Sequence, residues 1–371
     1  MATDVIVVGG GVIGCSIAWR LAQSGLKVTV FERGQVGCEA SRAAAGMLSP
    51  QGEAQGPGPF FDFCLRSRAM YRSFAEELTE ASGIDVEYRD DGTLFVLTEG
   101  EDEGAQTKWA EWQLEAGLPL EHISSGDLRR LEPALSELAT RAIFLPEEHQ
   151  VDNRRLMDAL AVAIRRNGVD VLEGTEVSAL SFERGRVTGV VSGGKRCDAG
   201  VVIVAAGTWS SQLLESAGLN VTIIPARGQM IAVRGSGCPI KRVMHSSRVY
   251  VVPRNDGRLL IGATIEYAGF QKAITAGAIN HLLSAAVELV PSLANFELDE
   301  MWCGLRPDTI DHLPIIGPSG IDNLVLATGH FRNGILLSPL TADLVVKHIV
   351  DNDEQGDTFS ANRFLLPTSR L

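Results

Sequence analysis

Apolar positions along this chain recur at two periods, and the switches between them mark its elements. Residues 5–8 (Val5, Ile6, Val7, Val8) are an unbroken β-branched run that stops at three glycines, the pattern of a buried strand. Val12, Ile13, Ile17, Ala18 and Leu21 then recur at helical spacing, and Gly25 ends that helix. Residues 27–31 read as a second strand. This β-α-β unit of about thirty residues implies a parallel sheet. Downstream the pattern predicts a loop over 51–59, a helix over 60–81, a strand at 94–97 and an exposed acidic helix at 101–116. A helix at 154–167 and a strand at 169–172 follow. Between 176 and 204 apolar and polar residues alternate around turns at Arg184-Gly185 and Gly193-Gly194, a meander. It runs into a buried strand at 201–206, closed by Gly207 and a short helix. From about 221 to 305 strands dominate (229–233, 249–252, 259–261, 297–305), interrupted by one helix near 277–289. The last clear helix covers 334–350, with Pro339 placed within its first turns, where proline is best tolerated.

Segments with α/β character (1–80, 150–220, 305–371) alternate with β-rich ones (81–149, 221–304). The fold class is therefore α/β, or α+β overall. Two interleaved domains are built from these discontinuous pieces, a Rossmann-like one opening on the β-α-β unit and an antiparallel β-rich one, with no single linker between them. No internal repeat or low-complexity tract is present.

Composition narrows the function. The chain has 371 residues and a net charge of −13, which argues against nucleic acid and against an anionic membrane surface as partners. With 45% hydrophobic and 21% charged residues it is globular. No apolar stretch approaches the roughly 18 residues of a membrane span, and the first residues lack the basic start of an export signal. Cysteines 15, 38, 64, 197, 238 and 303 form no CxxC pair and no metal-ligand spacing, so reduced thiols in a cytoplasm and no metal are expected.

Gly9, Gly11 and Gly14 form GxGxxG directly after a strand and at the start of a helix. Gly9 permits the tight turn, Gly11 the close approach of a pyrophosphate, and Gly14 close helix–strand packing. Glu32, at the end of the second strand, can accept the hydroxyls of an adenosine ribose and disfavours a 2′-phosphate. The motif does not distinguish NAD from FAD. Residues 41–48 (SRAAAGML) follow a polar start with very small side chains, which suit either a flat ligand or tight helix packing.

These segments, with VVIVAAGTWS (201–210), GLRPDTIDHLPIIG (304–317) and TGHFRNGILL (328–337), recur in an order that resembles the D-amino acid oxidase superfamily of FAD enzymes. Within it the chain is most similar to the glycine oxidase branch of thiamine thiazole biosynthesis. The resemblance spans essentially residues 4–350. It implies non-covalent FAD, because the position where some sarcosine-oxidising relatives tether flavin through a cysteine aligns with Gly304, one residue from Cys303. It assigns FAD contacts to Gly9, Gly11, Val12, Ile13, Gly14, Glu32, Arg33, Ser41, Arg42, Ala45, Gly46, Met47, Val177, Gly207, His330, Asn333, Gly334, Ile335, Leu336 and Leu337. The 333–337 segment opens a helix, whose positive end suits the charge of a reduced flavin.

Oxidation of an amino acid at flavin needs its carboxylate anchored and its amine neutral. Arg306, before Pro307, matches the anchoring arginine of the family, for which a guanidinium fork is suited. Tyr250 matches a tyrosine whose hydroxyl assists, and Arg332 a second arginine at the flavin. Without the resemblance, Arg306 also reads as a surface ion pair, Tyr250 as core and Arg332 as a structural salt bridge. His245 and His312 read as structural or solvated, and Asp311 as a turn residue. Arg248 and Ile265 differ from the branch's pattern near the pocket.

The expected function is oxidation of glycine and small amines (sarcosine, D-alanine) to the imine and 2-oxo acid, with O2 reduced to H2O2. The alternatives are a dehydrogenase passing electrons to a quinone or protein acceptor, and a flavin-binding assembly subunit. The expected partners are the small amino acid, O2, further copies of the chain (a homotetramer by resemblance) and a thiazole synthase receiving the imine.

Overall fold

In the computed structural model, residues 3–54, 56–98, 103–353 and 357–364 are described. Residue 55 of the predicted loop, 101–102 of the predicted acidic helix, and the segments 1–2, 99–102, 354–356 and 365–371 of the domain ranges lie outside them.

The strand Thr3–Val8 is the middle of a parallel sheet, ordered Asp170–Leu172, Val28–Phe31, Thr3–Val8, Lys195–Val204 and Leu324–Thr328, with Ile315–Pro318 antiparallel at one edge. Lys195–Val204 does two jobs. Its first half completes the meander with Arg186–Ser192 and Val177–Glu183, and its second half lies beside Thr3–Val8. Helices Val12–Gln23, Pro59–Ser82, Asn153–Arg166 and Gly334–Asp351 cover one face of this sheet and bury Trp19, Tyr71, Phe74, Leu156 and Leu337 against it. The meander and the short helix Ser210–Glu215 cover the other face.

A second sheet runs Glu297–Asp308, Ile224–Arg234, Arg258–Gly262, Tyr250–Pro253, Val243–His245, Thr93–Thr98, Ala139–Leu145 and Glu121–Ser124. It is antiparallel except where Val243–His245 meets Thr93–Thr98 in parallel. No tight turn joins those two segments, so nothing local imposes antiparallel pairing. Strand alternation sorts its side chains. Ile231, Val233, Val251 and Ile261 face the helix Ala276–Leu289, while Met230, Ala232, Tyr250, Val252 and Leu260 face the segment of Ala45 and Met47.

Three local readings change. Pro50–Glu53 is a helical turn with proline at its start rather than loop. The strands Leu324–Thr328, Ile315–Pro318, Ala139–Leu145 and Glu121–Ser124 have no separate counterpart in the periodicity reading. Pro339 lies inside the last helix, five residues beyond Gly334, and cannot donate to the carbonyl of Ile335. That carbonyl accepts from Tyr71 Oη (3.1 Å) and Ser338 Oγ (3.0 Å), and the carbonyl of Leu336 accepts from Ser67 Oγ (2.6 Å). Hydroxyls from the neighbouring helix and from Ser338 of the same helix thus make the internal proline tolerable. Among the described residues no helix is long and apolar enough to cross a membrane.

Candidate active site

A cleft of about 610 Å³ runs from the carboxyl end of the parallel sheet to the inner face of the second sheet. That is the size class of a small-molecule or cofactor site.

At its first end, Gly9 has φ +111, and a Cβ there would collide with the Ala205 carbonyl. Glu32 is nearly buried, and its two carboxylate oxygens accept from the amides of Gly10 (2.8 Å) and Gly34 (2.8 Å). This fixes the turn and leaves lone pairs for a ribose. The Glu32 carbonyl accepts from Thr175 N (2.8 Å), which brings Thr175 and Val177 to the same end of the cleft. Val12 N donates to Ser41 Oγ (2.9 Å), clipping the helix start to the small-residue segment. Among the described residues, the amides of Gly11 and Ile13 have no protein acceptor, a ready donor pair for a diphosphate. The Arg33 guanidinium stacks on Trp209 at 3.4 Å and pairs with Glu39, forming the rim, and Gly207 (φ +54) opens the helical turn beside it.

The middle of the cleft is floored by Ala43, Ala44, Ala45, Gly46 and Met47. Gly46 has φ +71, and a Cβ there would strike the Val151 carbonyl. Buried Arg254 reaches across from the second sheet and donates to the Ala45 carbonyl (2.6 Å), Gln150 Oε1 (3.0 Å) and Asn153 Oδ1 (3.2 Å). Asn153 Nδ2 in turn donates to the Ser41 carbonyl (2.9 Å).

At the far end, Phe331 N donates to the Pro307 carbonyl (2.9 Å), so the loop before the last helix sits beside Arg306. Arg306 Nη1 donates to the Thr264 carbonyl (3.0 Å), and its guanidinium lies flat over Gly228, where any Cβ would overlap it. The Tyr250 ring likewise lies over Gly262, its cross-strand partner. Burial pushes the Tyr250 phenol up, against the pull of the adjacent Arg306. Arg332 Nη2 pairs with Glu53 Oε2 at 2.6 Å. His330 is buried, meets Thr341 Oγ1 at 3.1 Å, and is pushed down to about 3 by burial. His245 stacks on Phe95 (4.5 Å between centroids) and is pushed down to about 4, by burial first and by Arg332 second. Both rings are therefore neutral at pH 7.

Arg306, Tyr250 and Arg332 line one cleft with Gly9, Gly11, Val12, Ile13, Glu32, Arg33, Ser41, Ala45, Gly46, Met47, Val177, Gly207, His330, Asn333, Gly334 and Ile335. Four expected cofactor residues lie outside its lining. Gly14 packs helix to strand, since a Cβ would strike the Gly9 carbonyl. Arg42 turns to the surface and pairs with Asp158 at 2.6 Å. Leu336 and Leu337 bury their side chains in the helical core, and Leu337 N closes the first turn on the Asn333 carbonyl.

His312 is exposed and pairs with Asp308 at 2.8 Å, and Asp311 holds its turn through Thr309 and Leu313. His245, Glu53, Gly228, Gly262 and Met230 line the cleft unannounced by any motif. The two glycines did carry a signal, because a glycine inside a strand pattern marks a close approach. Glu53 carried none.

Residues 4–348 match the family described as FAD dependent oxidoreductase (DAO). The chain is 35% identical over 366 residues to glycine oxidase of Bacillus licheniformis, covering 97% of each. It is 37% identical to the bifunctional protein ThiO/ThiG of Synechocystis sp., covering 99% of this chain and only 55% of that protein. The crystal structure of glycine oxidase from Geobacillus kaustophilus superposes with a TM-score of 0.93 at 35% identity, covering 98% of this chain and 99% of that one.

Proposed function

The chain belongs to the DAO family of FAD-dependent oxidoreductases, and on that premise we propose that it oxidises glycine and other small amines, such as sarcosine and D-alanine, to the imine and then the 2-oxo acid, with O2 reduced to H2O2. Bound FAD supplies the two-electron acceptor. The observation that carries the reading is the placing of Arg306 and Tyr250 beside the start of the helix Gly334–Asp351, at the opposite end of the cleft from Glu32.

The donor set suits FAD. Glu32 would take the ribose, the Gly11 and Ile13 amides the diphosphate, and the small side chains of 43–46 would let a flat ring lie against them. The positive end of the last helix and the Asn333–Ile335 backbone would face the ring's electron-rich edge. Gly304 lines the cleft on the strand face shared with Trp302 and Arg306, while Cys303 alternates to the other face and is absent from the lining, which supports non-covalent attachment.

Arg306 has one donor tied to Thr264 and presents the rest of its fork to a carboxylate. Tyr250, held protonated, donates to the same carboxylate. The net positive charge of this end opposes a cationic ammonium nearby, favouring the neutral amine whose lone pair assists oxidation. Neutral His330 and His245 shape the wall.

Likeness to a ThiO/ThiG protein supports a place beside thiazole assembly, with the imine handed to a thiazole synthase. The reading takes the chain as a cytoplasmic homo-oligomer, a tetramer by resemblance, and assigns the FAD domain to 1–80, 150–220 and 305–371 and the substrate domain to 81–149 and 221–304. Anaerobic titration of the yellow protein with glycine, sarcosine and D-alanine tests it. Bleaching of the flavin absorbance by small amines, with peroxide formed in air, is expected. A flavin that no amine bleaches would overturn the proposal, and bleaching followed by turnover only with an added dye would replace O2 by another acceptor.

A further inference from the structure

Three formal charges act on the Tyr250 hydroxyl: Arg306, Arg332 and Glu53. Their pairing is unequal. Arg332 is committed to Glu53 through a 2.6 Å contact, whereas Arg306, among the described residues, forms no ion pair and spends one donor on a neutral carbonyl. The other titratable groups at this end add no charge at pH 7, because Tyr250 stays protonated and His245 and His330 stay neutral. Arg248, also in the lining, is paired outward with Glu288 at 2.6 Å. The reacting end thus carries two cations and one anion, a net single positive charge, which matches one carboxylate.

Glu53 is built into its place. It ends the turn Pro50–Glu53, whose Gln51 is fully buried. Gln51 N donates to Glu148 Oε1 (2.8 Å), Gln51 Nε2 to Gln113 Oε1 (3.0 Å) and the Pro119 carbonyl (3.2 Å), and Arg68 Nη1 to Gln51 Oε1 (3.2 Å). These bonds fix the backbone of the turn that carries Glu53, so its carboxylate is presented to Arg332 from a rigid base.

We propose that Glu53 is a specificity residue: by occupying Arg332 it silences a second anion site, so that the cleft accepts amines with one carboxylate and discriminates against those with two. This rests on the reading of the cleft as an amino-acid oxidation site. A dianionic substrate must either leave its second carboxylate unpaired near Glu53 or break the Glu53–Arg332 pair, and both cost binding. Removing the charge of Glu53 without changing its shape turns Arg332 into a second anchor.

The test uses the FAD-loaded protein and two non-oxidisable probes, acetate and malonate, with binding followed by the shift in flavin absorbance. In the wild type malonate binds no tighter than acetate. In Glu53→Gln the ratio of the two dissociation constants moves toward malonate by about tenfold or more, as expected for one gained charge-assisted contact. The double variant Glu53→Gln with Arg332→Gln loses that gain. Oxidation of iminodiacetate relative to glycine rises in parallel in Glu53→Gln. Malonate binding tenfold tighter than acetate in the wild type overturns the proposal without any variant. So does an unchanged ratio in Glu53→Gln, or a gain that survives loss of Arg332. A wild type that neither binds acetate nor bleaches with any amine sinks the underlying reading instead, whereas bleaching by glycine with an unchanged malonate ratio sinks only this inference.

Discussion

Replacing Gly228 by alanine should disable the substrate anchor while leaving the cofactor in place. Gly228 sits in the strand Ile224–Arg234, opposite Gly304, and outside the left-handed region, so alanine meets no backbone strain. Its Cβ, however, would occupy the space of the Arg306 guanidinium. A guanidinium is the far end of a flexible side chain, so it yields and the strand does not. Its tether to Thr264 breaks, and its fork no longer faces the carboxylate. A hydrogen bond to a charged group contributes about 1.5–3 kcal/mol. At 1.4 kcal/mol per decade, loss of one arm of the fork weakens carboxylate binding about ten- to a hundredfold. The measurements are the acetate dissociation constant from the flavin spectrum and the steady-state constants for glycine. FAD content should match the wild type, and the melting temperature should move by no more than about 2–4 °C, the equivalent of 1 kcal/mol in a large domain. Wild-type acetate affinity in a fully flavinated Gly228→Ala protein would show that Arg306 does not grip the carboxylate from above residue 228.

Three other outcomes follow from particular contacts. Tyr71→Phe removes a buried hydroxyl from the carbonyl that Pro339 leaves without a helix donor, and should cost about 1 kcal/mol in urea unfolding with catalysis intact; no loss would mean that Ser338 alone satisfies Ile335. His330 is held neutral in the fold, down to about 3 against an ordinary 6.5, so the unfolded chain binds the extra proton between those values and stability falls as pH drops below about 6.5. Glu148, raised to about 7 by burial, works in the opposite sense between its ordinary value and 7. His330→Gln should therefore flatten the acid-side slope of stability against pH by about one proton, and an unchanged slope would place a proton on the native ring. Trichloroacetic acid precipitation should leave the yellow colour in the supernatant, since Cys303 is turned away from the cleft; a yellow pellet would contradict this.

Much of the nucleotide half was legible along the chain because its signals are local. A strand, three glycines, a helix and Glu32 lie within one β-α-β unit. Tertiary packing still corrected the detail. Gly14 lies outside the cleft lining and packs helix to strand, and Arg42, inside the expected segment, turns out to Asp158 because the short helix Ala40–Ala43 exposes that side. Arg306, Tyr250 and Arg332 were found through motif likeness, and only the fold put them in one cleft. Periodicity tells which face of an element is buried but not what meets it. The sequence therefore could not show that Leu324–Thr328 lies beside Lys195–Val204, or that Thr93–Thr98 pairs in parallel with Val243–His245. Nor could it show that Glu53, in a stretch that reads as loop, faces Arg332. Such contacts join residues far apart in the chain, and they exist only once two covered surfaces meet. The amino-acid order by itself determined most of the elements, the glycine turn and the chemistry on offer. The meeting of the two sheets decided which charges share a space, because electrostatic partnership depends on distance through the folded molecule and not along the chain.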